Sequence, residues 1–196
     1  MLWYLSHPEV RIDPDVPVPD WVLSDRGRAR TLALAAAGWP AAVVRILTSP
    51  ERKARETADI LAQGRRVTVV ADTGEIDRSA TGFVPHDRHE ALADALFAHP
   101  DRSAEGWETA RDAQARVCAA LEPHLAMDGD LLVIGHGGVG TLLWCTLTGR
   151  VISRVEDQPG GGHVWALRPN ARAWEIVHPW LSFEALVAPA TAASRA

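Results

Sequence analysis

The sequence has little of several features that mark particular classes of protein. It contains only two cysteines, Cys118 and Cys145, which we interpret as small core residues and not as a disulfide or a metal pair. It has no excess of positive charge, and its formal net charge of -5 argues against nucleic-acid and acidic-membrane partners. It lacks an apolar run that could span a membrane and a leader of the secretory type. We therefore expect a cytoplasmic protein.

The rest of the composition is that of an ordinary globular domain. Of the 196 residues, 47% are hydrophobic and 23% are charged, and there are no internal repeats. We expect one domain over residues 1–186 and a disordered tail of small and polar residues over 187–196. Predicted strands alternate with predicted helices up to residue 149 and then give way to a hairpin of residues 163–167 and 174–177. This order predicts an α/β fold of three layers, α/β/α, with a mostly parallel sheet.

The stretch from Asp130 to Gly149 is the most informative part of the chain. An apolar run ending at Ile134 predicts a buried strand, and a glycine-rich turn containing His136 follows it. The next residues are apolar on nearly every face and predict a buried helix that stops at Gly149. His136 is thus expected at the carboxyl end of a strand and the start of a helix. Ligands bind at such positions in open α/β sheets, and free N–H groups there favour an anion.

Three other segments bring polar side chains to predicted strand ends. His7 follows the short apolar run at the start of the chain, where Pro8 stops the strand. Ser49-Pro50-Glu51 predicts a helix start with a capping serine, and the cations Arg52 and Lys53 crowd its first turn. A bound anion would relieve that conflict with the helix dipole. The polar loop of residues 72–83 adds two acids and a cation, which are Glu75, Asp77 and Arg78.

These segments, taken in order, resemble the histidine phosphatase superfamily, also called phosphoglycerate-mutase-like. The resemblance extends over about residues 2–167. The family has an Arg-His-Gly motif where this chain has Ser6-His7-Pro8, and a Ser-His-Gly-Gly loop where this chain has residues 135–138. Three further segments match family motifs, namely residues 21–27, 49–58 and 106–108. The resemblance implies a phosphoglycerate-mutase-like fold and phosphoryl chemistry.

The resemblance also implies roles for individual residues. His7 would be the nucleophile and would carry the phosphoryl group on nitrogen. His136, as an imidazolium, would bind a phosphate oxygen together with Gly137 and the cation Lys53. Glu75 would protonate the leaving oxygen and then activate water, although Asp77 is close enough in sequence to be the alternative. No cofactor and no metal ion is implied. The substrate would be a small-molecule phosphate monoester or a phosphoprotein.

Two departures from the family pattern bear directly on activity. Ser6 replaces the arginine before the nucleophile, and Lys53 replaces the arginine of the helix motif. A lysine cannot hold two phosphate oxygens in a fixed fork as a guanidinium can. Arg52 or Arg78 would have to substitute from another direction. The chain is therefore read as a phosphatase, a phosphoric monoester hydrolase acting through phosphohistidine, with a catalytically impaired phosphate-binding module as the alternative.

Two other readings of the sequence are weaker. Gly135-x-Gly137-x-x-Gly140 follows a strand and opens a helix, as a dinucleotide fingerprint does, but no clear second strand with a ribose-binding acid follows. His86 and His89 have a spacing that suits a metal, but no third ligand is evident nearby and we expect them to be exposed. The sequence leaves the substrate and the oligomeric state open. Trp21, Phe83 and Trp107 are candidates for an apolar rim of the site.

Overall fold

A computed structural model describes residues 1–40, 43, 45–171 and 173–188 of the chain. In this part of the chain six strands form one sheet, in the spatial order β3-β2-β4-β1-β5-β6. Four parallel strands, β1 to β4, make up one side of the sheet, and β5 and β6 add an antiparallel hairpin at the other side. The strands are β1 (Leu2–Ser6), β2 (Arg45–Thr48), β3 (Val67–Val69), β4 (Leu131–Gly135), β5 (His163–Asn170) and β6 (Ala173–Ser182).

Helices follow the parallel strands and cover the sheet. The helices are α1 (Asp25–Ala36), α2 (Arg52–Ala62), α3 (His86–Ala98), α4 (Ala110–Leu125), α5 (Gly137–Thr148) and α6 (Phe183–Val187). Two single 3-10 turns, Val18–Asp20 and Arg154–Glu156, lie in the connecting loops. None of the described helices is long and apolar enough to cross a membrane.

Two hydrophobic clusters lie on opposite faces of the sheet and make the fold three-layered. Because side chains alternate along a strand, Tyr4 of β1 packs into one cluster and its neighbour Leu5 packs into the other. The cluster around Tyr4 contains the buried residues of α3, α4 and α5. The cluster around Leu5 contains those of α1, α2 and α6. The predicted three-layer α/β fold with a mostly parallel sheet is therefore confirmed.

The predicted ends of helices and strands agree with the structure at some positions and not at others. Ser24 caps α1 as its sequence suggests, since its hydroxyl accepts a hydrogen bond from Gly27 N at 3.1 Å. The sequence pattern predicts a helix from Trp107 to Leu125, but α4 begins at Ala110 after a capping Thr109. The hairpin is longer than expected, and its strands extend to Asn170 and from Ala173. Of the tail expected at 187–196, Val187 ends α6, and residues 189–196 lie outside the described residues.

Candidate active site

His7 and His136 meet at one edge of the sheet. The strands that precede them, β1 and β4, are parallel neighbours, and Ser6 lies opposite Gly135 in their register. The residue after each strand is a histidine, so the two rings emerge side by side. Their centroids are 5.2 Å apart, and the ring planes are inclined at 73°. The structure thus brings together the two histidines that the sequence placed at separate strand ends.

The ring of His7 is oriented by its own backbone. Its Nδ1 lies 2.8 Å from the carbonyl oxygen of Pro8, so Nδ1–H donates and the lone pair remains on Nε2. Burial, and then the nearby Lys53 ammonium, lower the pKa of His7 to about 4. At neutral pH this imidazole is therefore uncharged, with a basic nitrogen available for attack on an electrophile.

His136 is buried completely and is held on three sides. Tyr4 donates its hydroxyl to the carbonyl oxygen of His136 at 3.1 Å and accepts from its backbone N–H at 3.0 Å. The ring Nε2 lies 2.7 Å from the Ser49 hydroxyl and 3.5 Å from a carboxylate oxygen of Glu51. Burial holds the pKa of His136 well below its usual range. At neutral pH His136 is therefore uncharged, where the family resemblance implied an imidazolium.

Lys53 reaches the same cluster, but it is already paired. Its side chain is only 3% exposed, and its ammonium donates to Val18 O at 2.8 Å and to the carboxylate of Glu51. Glu51 stands at the N-cap position of α2, yet its side chain caps nothing there. The expected helix start at Ser49-Pro50-Glu51 is therefore wrong in detail: α2 begins at Arg52, and the Ser49 and Glu51 side chains turn into the site.

Glu75 occupies the N-terminus of α5, where an anion was expected to bind. Its carboxylate accepts hydrogen bonds from the backbone N–H groups of Gly138 and Val139, each at 3.1 Å. The positive end of α5 is thus already satisfied by an acid of the same chain. Asp77, the alternative acid, is exposed and accepts from Ser79 N at 2.8 Å in a local turn. Of the two, Glu75 is the one that contacts the loop of His136.

The two candidate arginines have different surroundings. Arg52 is 60% exposed and pairs with Glu56 one turn along α2, so the structure leaves it outside the histidine cluster. Arg78 is half-buried, and its guanidinium carbon lies 5.5 Å from the centre of the Trp107 ring. Its positive charge contributes to the lowered pKa values of both site histidines. Within the described residues no carboxylate forms an ion pair with Arg78.

A cavity of about 510 Å³ opens beside the glycine-rich loop. Its wall combines apolar side chains of α3 and Trp107 with polar groups, among them Glu75, Arg78 and Gly137, the first residue of α5. A smaller apolar cavity of about 220 Å³ adjoins Arg78 on the other side and contains Trp21 and Phe83, whose rings are 5.8 Å apart. His86 is exposed as expected, whereas the expected exposure of His89 is wrong, because that side chain is half-buried; both line the two cavities. In the described part of the chain no three His, Cys, Asp or Glu side chains are grouped to hold a metal ion.

Gln158 is a residue of this site that the sequence did not reveal. Its side-chain oxygen accepts the hydroxyl of Ser6, and its amide nitrogen lies so close to Gly137 that a Cβ there would be 2.0 Å away. Gln158 comes from the loop before β5 and lines the larger cavity. The place left by a short Ser6 side chain is therefore filled by an amide from another segment. No motif pointed to it, because its role depends on a contact between distant parts of the chain.

The glycines of the presumed dinucleotide fingerprint have packing roles. A Cβ at Gly135 or at Gly140 would lie 2.3 Å from the hydroxyl oxygen or a ring carbon of Tyr4. The pattern is thus accounted for by the close approach of Tyr4 and Gln158, and none of it requires a pyrophosphate. The two imidazoles lie next to each other at one edge of the sheet. The three-layer α/β fold that holds them is the one that the resemblance to phosphoglycerate-mutase-like proteins implied.

Comparison with known families gives the same result. The model of the histidine phosphatase superfamily (branch 1) matches residues 11–179, and the chain belongs to that superfamily. The family places the chain among the phosphatases, which are hydrolases. The match begins after residue 7, so it does not include Ser6-His7-Pro8. A search of curated proteins finds no match.

Solved structures share the fold at low sequence identity. A mycobacterial glucosyl-3-phosphoglycerate phosphatase with inorganic phosphate aligns with a TM-score of 0.78 at 20% identity, over 93% of this chain and 98% of that chain. A mutant phosphoserine phosphatase from Entamoeba histolytica, in complex with phosphoserine, aligns with a TM-score of 0.73 at 14% identity, over 94% and 98%. At these identities the similarity establishes the fold alone.

Proposed function

We propose that this protein hydrolyses phosphate monoesters through a phosphohistidine intermediate on His7. The observation that carries the proposal is the edge-to-face meeting of His7 and His136, with Nδ1 of His7 donating to Pro8 O. That arrangement leaves Nε2 of His7 unprotonated beside a second imidazole. Family membership supports phosphoryl chemistry, and the local geometry supports Nε2 of His7 as the nucleophile that attacks phosphorus.

In the first step Nε2 of His7 would attack phosphorus while the bond from phosphorus to the ester oxygen breaks. His136 would stabilise the charge on the equatorial oxygens after taking up a proton from the solvent as the phosphoryl group arrives. Lys53 and Arg78 would supply the remaining positive potential, together with the backbone N–H of Gly137, the one at the start of α5 that does not donate to Glu75. Because phosphoryl transfer depends mainly on positioned positive charge, these groups decide the rate.

Glu75 would act as the general acid in the first step and as the general base in the second. It contacts the loop of His136 and lines the larger cavity, where the leaving group would lie. As an acid it would protonate the departing ester oxygen, and as a carboxylate it would then take a proton from water. That water would attack the phosphohistidine, the bond from phosphorus to nitrogen would break, and inorganic phosphate would be released. Asp77 faces solvent and is the weaker candidate.

The cavity supports a small-molecule phosphate monoester as the substrate. Its volume of about 510 Å³ is in the range of small-ligand sites. Its mixed wall of aromatic, cationic and acidic side chains suits an organic group with both apolar and polar parts. The ligands of the fold neighbours, inorganic phosphate and phosphoserine, are also small. A phosphoprotein would have to present its phosphorylated side chain through the same opening.

One observation favours a second candidate function. The only cation fully inside the described histidine cluster, Lys53, is neutralised by Glu51, so phosphate would meet less positive potential than in a pocket with two arginines. A module that binds phosphate or a phospho-ligand without turning it over would fit that feature. The retention of both histidines at contact distance favours the hydrolase.

A direct assay separates the two candidates. The purified protein is incubated with a chromogenic phosphate monoester without added metal, alongside His7→Ala and the control His99→Ala, which changes an exposed histidine at the end of α3. We expect turnover by the unmodified protein and by the control, and loss by a factor of at least about 10³ in His7→Ala. Binding of phosphate or vanadate by the unmodified protein, without any turnover, would instead establish the binding module.

A further inference from the structure

Glu51 is a buried carboxylate that the proposed reaction does not use. Its side chain is only 10% exposed, although it stands at the start of a helix where a side chain could easily reach water. It makes no capping hydrogen bond in α2. The carboxylate turns instead into the space between His136 and Lys53.

The two oxygens of Glu51 have the partners that a bound anion would have. Oε1 accepts the backbone N–H of Glu75 at 2.7 Å and lies 3.5 Å from Nε2 of His136. Oε2 accepts from the ammonium of Lys53. A backbone N–H, an ammonium and an imidazole are the donors that hold phosphoryl oxygens in proteins. The chain therefore supplies its own anion to part of the site where phosphate is expected.

This carboxylate is charged at neutral pH. Burial alone would raise the pKa of Glu51, but His136, in its protonated form at acid pH, and the Lys53 ammonium lower it to about 2. The phosphoryl site therefore contains a fixed negative charge next to its buried cation. The titratable and charged groups around Glu51 come from four segments. They are Lys53 on α2, His136 before α5, Tyr4 and His7 at β1, and Glu75 in the loop of residues 72–83.

We infer that Glu51 is a charge selector, which makes the site favour phosphoryl groups that carry one negative charge over those that carry two. The inference rests on the proposed function, because it assumes that phosphate binds between His7 and His136. A dianion would have to compete with Glu51 for Lys53 and would be repelled by it at short range. A monoanion can instead donate a hydrogen bond from its own P–OH group to the carboxylate, and the proton stays on the phosphoryl group. The substrate class is thus narrowed to phosphate monoesters bound in the singly charged form.

The substitution Glu51→Gln tests this selector, since it keeps the shape of the side chain and removes the charge. Binding of inorganic phosphate is measured by calorimetry from about pH 5.5 to about pH 8, a range in which phosphate groups lose their second proton. For the unmodified protein we expect the affinity to fall as the dianion forms. For Glu51→Gln we expect the fall to disappear and the affinity at the upper end to rise roughly tenfold.

Two controls make the result specific. Asp59→Asn removes a negative charge from an exposed position of the same helix and should leave the pH dependence unchanged. Sulfate keeps its two charges throughout this range, so it should bind weakly at every pH and more tightly to Glu51→Gln. A pH dependence for sulfate like that for phosphate would overturn the inference, because the protein and not the ligand would then be titrating. Thermal melting confirms that each variant is folded.

The binding experiment is independent of turnover. Weaker phosphate binding by Glu51→Gln at all pH values would show that Glu51 serves to position Lys53, and the selector would be wrong even if the protein is a phosphatase. Selective binding by a protein that turns nothing over would overturn the proposed hydrolase and leave the selector standing. The two ideas therefore fail in distinguishable ways.

Discussion

Ser6 of β1 and Gly135 of β4 lie opposite one another in a parallel pair of strands. This register puts the next residue of each strand, a histidine in both cases, at the same edge of the sheet, with ring centroids 5.2 Å apart. Because the strand register alone places the two rings side by side, neither histidine has to reach across the site. The proposed chemistry therefore depends on the pairing of two strands, which the hydrophobic core fixes from both faces.

The acid limb of the pH profile of kcat/KM should lie at an unusually low pH. Burial and the charge of Lys53 lower the pKa of His7 to about 4, so protonation of Nε2 becomes appreciable only near that pH. We expect kcat/KM for a chromogenic monoester to decline as the pH falls through about 4. An unperturbed histidine would give this decline near about pH 6.5. An inflection at the higher value would mean that His7 is solvated or is not the nucleophile.

Substitutions at the two acids should separate their roles. Gly138 N and Val139 N bind different oxygens of Glu75, so Glu75→Gln keeps an acceptor for only one of them. The amide also cannot exchange a proton, so kcat should fall by about 10²- to 10⁴-fold, with a smaller loss of stability than the alanine substitution. Glu75→Ala should in addition lower the free energy of unfolding by about 1–2 kcal/mol, because the start of α5 loses its cap. Asp77→Asn is the matched control and should keep full activity. The reverse pattern in kcat would identify Asp77 as the proton donor.

The two arginines offer another matched pair. Arg78 faces the cavity and acts electrostatically on both histidines, whereas Arg52 pairs with Glu56 at the surface. Arg78→Ala should lower kcat by about 10²- to 10³-fold, the usual effect of removing one donor to a developing anion. Arg52→Ala should change kcat by less than about twofold, since exposed ion pairs contribute little. Steady-state kinetics with equal loss in both variants would mean that the cations act only through overall charge.

Gly140 should tolerate no side chain, for a structural reason. A Cβ there would lie 2.3 Å from a ring carbon of Tyr4, whose ring stacks on Trp165 with centroids 5.2 Å apart. Gly140→Ala should therefore lower the free energy of unfolding by about 1–3 kcal/mol in urea denaturation, although alanine is the better helix former. At Gly160 a Cβ would meet nothing within 4 Å, and Gly160→Ala is the control. Equal stability of both variants would contradict the packing role given to Gly140.

The fold was readable from the sequence because its signals are local. The apolar run before His136 and the capping residue Ser24 predict a strand and a helix start whatever lies around them. The hairpin near the C-terminal end was likewise apparent from short apolar runs on either side of Pro169-Asn170. The ends of α2 and α4 were misjudged, since Ser49 and Glu51 resemble capping residues and yet turn into the site.

The site was only partly readable. His7 and His136 could be singled out by their positions after strands, and the family motifs linked them. The carboxylate of Glu51 between His136 and Lys53 could not be foreseen, because nothing in the order of residues tells that it points inward. Gln158 was missed for the same reason, since its contact with Ser6 joins segments far apart in the chain. Sequence patterns identify candidates, and tertiary packing decides which of them face one another.

The most direct test of the whole account is detection of the phosphorylated histidine itself. The protein is mixed with a chromogenic monoester, quenched in alkali within the first turnover, digested and analysed by mass spectrometry. We predict an acid-labile phosphoryl group on the peptide that contains His7, absent from His7→Ala and present in the control His99→Ala. Hydrolysis of the ester with no phosphoryl group on His7, or with the group on another residue, would contradict the account.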